Sequence, residues 1–102
     1  MTNQEIDAAV AVKLGYVFDE NAPDRAFPWI EPYKSRHTDL PSFTTDIKAA
    51  WEVLEDVASR GYEITFANEK TGGWHVEIGE IDEDAETAPL AICRAFLAME
   101  EK

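Results

Sequence analysis

Two histidines, one cysteine and a run of carboxylates are the side chains of this chain whose types and spacing could do chemistry. His37 and His75 have no second His or Cys at ligand spacing, so no metal site is expected from them. Asp82-x-Asp84-x-Glu86 has the alternating acids of a calcium loop but lacks the central glycine and the closing acid. Cys93 and His75 could act as nucleophile and base only if the fold brought them together, and Cys93 sits mid-helix with nothing to lower its pKa. No Walker loop, dinucleotide fingerprint or nucleophile elbow is present. Close acid pairs such as Glu52 and Asp56 carry no diagnosis in a chain with 21 acidic residues. The reading is a non-enzymatic protein with no catalytic residue and no cofactor.

The charge balance is more telling. Nine basic residues against 21 acidic ones leave a net charge of −12, which argues against direct binding to nucleic acid. Glu77, Glu80, Asp82, Glu83, Asp84 and Glu86 fall close together with no base among them. Such a run reads first as a solvated loop. Its sharper use, together with Glu52, Glu55 and Asp56 upstream, is a protein-binding surface that meets a basic partner. A second candidate set is made of bases and rings: Arg25, Trp29, Tyr33, Lys34 and Arg36, with Trp74, could neutralise phosphate and stack a base of a nucleotide-like ligand.

The elements that must position these residues follow from capping and periodicity, within one domain spanning residues 1–102. Thr2-x-x-Glu5 fits a capping box, and Ile6, Ala9, Val10, Lys13 and Leu14 follow at helical spacing before Gly15, so a helix is expected over 3–14. Tyr16-Val17-Phe18 is β-prone and could form an edge strand. Residues 19–43 carry Pro23, Pro28, Pro32 and Pro41 between aromatics and read as a long connection without a period. Thr44 or Thr45 is expected to cap a second helix that has Asp46 in its first turn and ends at Gly61. Its buried face would be Ile47, Ala50, Trp51, Leu54, Val57 and Ala58. Tyr62, Ile64 and Phe66, then Trp74, Val76 and Ile78, alternate with smaller or polar residues and predict a hairpin whose large side chains lie on the helices.

Thr87 caps and Pro89 starts the last helix, which is apolar almost all the way round: Arg94 is the only charge between Glu86 and Glu100. A helix of that kind must be covered on more than one face. Ala88, Ala91, Ala95 and Ala98 would let a second copy approach closely, so a homodimer through this helix is expected. Cys93 reads as a small core residue, which suits a reducing cytoplasm, and neither a signal peptide nor a membrane span is seen. The fold class is α+β, a small layered sandwich with three helices packed on an antiparallel hairpin or three-stranded sheet.

Thr44-Thr-Asp-Ile-Lys-Ala-Ala-Trp-Glu-Val-Leu-Glu55, Gly72-Gly-Trp-His-Val76 and Ala85-Glu-Thr-Ala-Pro-Leu-Ala-Ile-Cys-Arg-Ala95 together resemble the phage ABA sandwich domain family, with Asp46, Trp51, Trp74, Thr87 and Pro89 on the motif positions. The resemblance implies stacked helix and sheet layers, origin in a phage or prophage, and no catalytic activity. It directs the binding reading toward a protein of the infected or lysogenic bacterium, with counter-defence as its purpose. The alternatives are a nucleotide-sequestering protein and a phage assembly accessory.

Overall fold

The computed structural model describes residues 2–32, 36–70 and 72–99. In chain order it contains α1 (Asn3–Leu14), β1 (Val17–Phe18), β2 (Trp29–Ile30), β3 (His37–Thr38), α2 (Ile47–Ser59), β4 (Ile64–Asn68), β5 (Trp74–Ile78), β6 (Ile81–Ala85) and α3 (Ala88–Ala98). The fold is α+β, but it has two three-stranded antiparallel sheets where a hairpin or a single three-stranded sheet was expected, ordered β1-β2-β3 and β4-β5-β6.

The first helix forms as its sequence dictates. The Thr2 hydroxyl accepts the Glu5 amide N–H while the Glu5 carboxylate accepts the Thr2 N–H, and Gly15 ends the helix in the left-handed region. α2 is capped one residue later than expected, by Asp46, whose carboxylate accepts the Lys48 N–H. Asp7 of α1 is buried and takes the backbone N–H of Thr44 at 2.8 Å, which anchors the entry to α2.

α3 is the centre of the molecule. It packs on β5 and β6 from one side and on α1 and α2 from the other. Ala91, Ile92, Cys93, Ala95 and Phe96 are fully buried, and Arg94 points out. Its last carbonyls are satisfied by Lys13 of α1, whose Nζ donates to the carbonyls of Phe96 and Met99 at 2.6 Å each and lies 5.0 Å from the Phe96 ring centroid. The demand for cover on several faces is therefore met within one protomer. Ala91 and Ala95, two of the residues through which a homodimer was expected, have no exposed surface, and Ala88 is half-buried.

Two further regions carry more strand than expected, for a shared reason. Residues 19–43 are not without structure, since β2 and β3 lie in them and pair with β1, and Trp29 is buried edge-on to Phe18 with ring centroids 5.3 Å apart. Residues 81–85 are a strand, not a solvated loop. In both places tertiary pairing overrides a local composition of proline or of charge. β5 turns into β6 through Gly79-Glu80, and the positive φ of 59° at Gly79 is the conformation a two-residue hairpin turn requires.

The apolar periods hold only in part: α2 buries Ala50, Val53, Leu54 and Val57, so Val53 was missed and Ala58, expected inside, is exposed. Val76 and Ile78 lie under α3, whereas Tyr62 and Phe66 remain exposed, as do Ile47 and Trp51 on α2. Cys93 is a core residue, its thiol pushed up to about 12 chiefly by burial and secondarily by Asp7.

Ala95→Glu would place an unpaired carboxylate in the α3 core and should cost more than about 4 kcal/mol. The expected result is loss of the cooperative thermal transition by circular dichroism. A folded Ala95→Glu chain would show that α3 is not covered as described.

Candidate functional site

Strand alternation sends Val76 and Ile78 inward to α3 and turns His75 and Glu77 to the opposite face of the sheet. The β5–β6 register sets Asp84 opposite His75 and Asp82 opposite Glu77, while β4 brings Ala67 beside His75 and Thr65 beside Glu77. One imidazole is thereby surrounded by carboxylates. His75 Nδ1 lies 2.6 Å from Asp84 Oδ1, and Nε2 lies 3.1 Å from Glu77 Oε1 and 3.4 Å from Asp82 Oδ1. Glu69 reaches the same cluster from the β4–β5 turn, which is closed by the Glu69 N–H donating to the Gly73 carbonyl at 2.8 Å. Gly73 lies close to the next strand, where a Cβ on it would stand 3.2 Å from the Ala85 carbonyl oxygen.

The electrostatics follow from this geometry. Hydrogen bonds to Asp84 first and Glu77 second raise the His75 pKa to about 9, so the ring is an imidazolium at neutral pH. Asp84 is held below the usual carboxylate range by His75 and then by Glu69. Glu69 is raised, because it shares a hydrogen bond with Asp84 and faces its charge. Four carboxylates thus meet one cation.

Two overlapping groups, Glu69–His75–Asp84 and His75–Glu77–Asp82, bring their ligand atoms within 4.8 Å of one another and could hold a divalent cation. A metal would have to displace the imidazolium proton. The sequence expectation of no ligand set around His75 overlooked both groups, since the ligands come from three segments. The readable signal was the two-residue turn at Gly79-Glu80, followed by Ile81, Glu83 and Ala85 alternating with Asp82 and Asp84.

The other candidate acids are distributed elsewhere. Glu83 turns toward the inner side and is half-buried, Glu80 stands in the turn, and Glu86 is exposed at the entry to α3. Glu52 of α2 accepts the Tyr16 hydroxyl at 3.2 Å, and burial with the Glu52 charge pushes that hydroxyl's pKa up. Asp56 pairs with Arg60 at 3.0 Å. Glu52, Glu55 and Asp56 border a separate cleft of about 430 Å³ with Leu14, Tyr16, Glu31 and Pro32. The acidic surface expected as one is therefore two, on opposite sides of α3.

Among the described residues, the ring-and-base set is distributed over several places. Trp29 is buried, Arg25 is exposed beside Phe18 and Pro28, Arg36 forms a salt bridge with Glu31 at 3.1 Å, and Trp74 lies on the inner face of the sheet near Thr87 and Pro89. Tyr33 and Lys34 lie outside the described residues. Cys93 faces the core and His75 faces away from it, so no nucleophile–base pair is assembled. His37 serves structure by joining β3 to Asp19 at 2.9 Å and lowering that acid's pKa.

Fold and site together define a small α+β protein with one uncovered acidic sheet face. Residues 8–97 match the phage ABA sandwich domain, and the chain belongs to that family. The crystal structure of a phage protein from Bacillus cereus ATCC 14579 is similar in fold, with a TM-score of 0.65 at 24% identity over 96% of this chain and 91% of that one. Among curated proteins nothing matches. No helix among the described residues is long and apolar enough to cross a membrane.

The raised pKa of His75 carries a pH signature. Its folded value lies above the unfolded value near 6.5, so its stabilising contribution is fully present below about pH 6.5 and disappears as pH rises through about 9. Wild-type melting temperature should fall over that interval more than that of His75→Gln, and the imidazole resonances should titrate near 9. A His75 titration near 6.5 would contradict the clamp geometry.

Proposed function

We propose that the protein acts by binding rather than catalysis, and that the open face of the β4–β6 sheet engages a basic surface on a protein of the bacterial host. The observation that carries this reading is the grouping of Glu69, Glu77, Asp82 and Asp84 on one face around a single imidazolium. A dense negative face on a chain of charge −12 accelerates encounter with a positive groove and disfavours nucleic acid itself. Membership of a phage family points the partner toward the host, and a nucleic-acid-binding groove of a defence protein has the matching chemistry. The place of action is then the cytoplasm of the infected or lysogenic cell, where the single buried thiol would remain reduced. The α2 carboxylates are a weaker candidate, because Glu52 and Asp56 already serve Tyr16 and Arg60.

Purified chain immobilised and exposed to host extract should retain a basic protein at low salt and release it as salt rises. Glu77→Lys with Asp82→Lys should abolish that retention, while Glu52→Gln with Glu55→Gln should leave it within about twofold. Equal retention by the Glu77→Lys/Asp82→Lys chain would contradict this assignment of the face.

A further inference from the structure

The apolar surface that α3 does not expose is found between α2 and β4. Ile47 and Trp51 are 54% and 56% exposed, and Tyr62 and Phe66 are 39% and 38% exposed. Trp51, Leu54, Ala58, Ile64 and Phe66 line a cleft of about 270 Å³ there, with Glu55 the one charged residue among its described lining. Trp51 is an amphipathic helix's largest apolar side chain, left more than half exposed by its own protomer.

The neighbouring strand is open as well. β4 is an edge of the β4-β5-β6 sheet, and its sequence Ile64-Thr-Phe-Ala-Asn68 carries no charge. The opposite edge, β6, is Ile81-Asp-Glu-Asp-Ala85, with three acids in five residues. Charged edges block strand addition, whereas an uncharged one accepts a partner's backbone. A second copy of this chain approaching along β6 would set three acids of each strand together; approaching along β4 it meets none in the strand, only Glu63 and Glu69 at its two ends.

We propose that β4 and the exposed face of α2 form a two-fold interface with a second copy of this chain. Antiparallel pairing of β4 with its own copy extends the sheet to six strands and seats Trp51 and Phe66 of each protomer against the other's. Such an isologous contact needs only one self-complementary patch. At roughly 150–250 Å² per ring, the exposed fractions of Trp51, Tyr62 and Phe66 supply roughly a third of the about 800 Å² per protomer of a standard interface. The strand edge, Ile47 and Ala58 must provide the remainder, so the dimer belongs at the low end of the stable range. It leaves the His75 face free, because that face is perpendicular to the paired edge.

Salt separates this proposal from the acidic-face reading. Two chains of charge −12 repel, so screening should tighten the dimer, while it should weaken a complex with a basic partner. Sedimentation equilibrium of the full chain at about 0.05 M and 0.5 M NaCl should show a dimer whose Kd falls with salt. Trp51→Lys and Phe66→Lys, both at exposed positions, should each stay folded by circular dichroism and raise that Kd at least about tenfold. A chain monomeric at both salts would overturn the proposal, as would a dimer indifferent to both substitutions. Loss of a host partner on Trp51→Lys in a monomeric chain would assign the face to that partner instead.

Discussion

A helix that is apolar on nearly every side can exist in water only if something covers every side, and the packing of α3 answers that requirement. β5 and β6 cover one flank, α1 and α2 cover the other, and Lys13 caps the carbonyls at its C-terminal end. The sheet must turn Val76 and Ile78 toward this helix, and strand geometry then forces His75 and Glu77 to the other side. The acidic cluster is therefore a consequence of how the core is closed. All three helices are used on the inner side, and the sheet's outer face is left to solvent or to a partner.

The same closure decides where apolar surface is left over. With Ala91, Ile92, Cys93, Ala95 and Phe96 of α3 enclosed, α2 lies at the margin of the layer, beside the strand that ends the sheet. Its inner residues Val53, Leu54 and Val57 are buried, and Trp51 and Ile47 extend past the core. The molecule thus presents two surfaces of opposite character. One is a face of four carboxylates around an imidazolium, responsive to salt and pH; the other is an uncharged edge with exposed rings.

What could be read in the sequence depended on the range of the interaction involved. Caps at Thr2 and Thr87 are local, and both were legible; the α2 cap is Asp46, one residue past the expected threonines, and Thr44 instead gives its backbone N–H to the buried Asp7 of another helix. Hydrophobic periods at Val76 and Ile78, and at Ala50, Leu54 and Val57, state correctly which side chains share a buried face, while Ile47, Trp51, Tyr62 and Phe66 fall at or beyond its margin. They do not state whether the fold has a neighbour with which to cover it. β6 was hidden because three acids outweighed the alternation of Ile81 and Ala85, and with it went the register that sets Asp84 against His75. The need to cover α3 was legible, but the identity of the cover was not: two strands and two helices of the same chain suffice, where a second copy was expected.

The central claim is that α3 is enclosed by its own protomer and that the sheet and α2 provide the outward surfaces. Hydrogen–deuterium exchange across a range of protein concentrations tests it most directly. Amides of α3 and β5 should be the slowest to exchange and should keep the same protection at every concentration, while any concentration-dependent protection should fall on β4 and α2. Protection of α3 that rises with protein concentration would contradict the account, because it would show that a partner completes the cover.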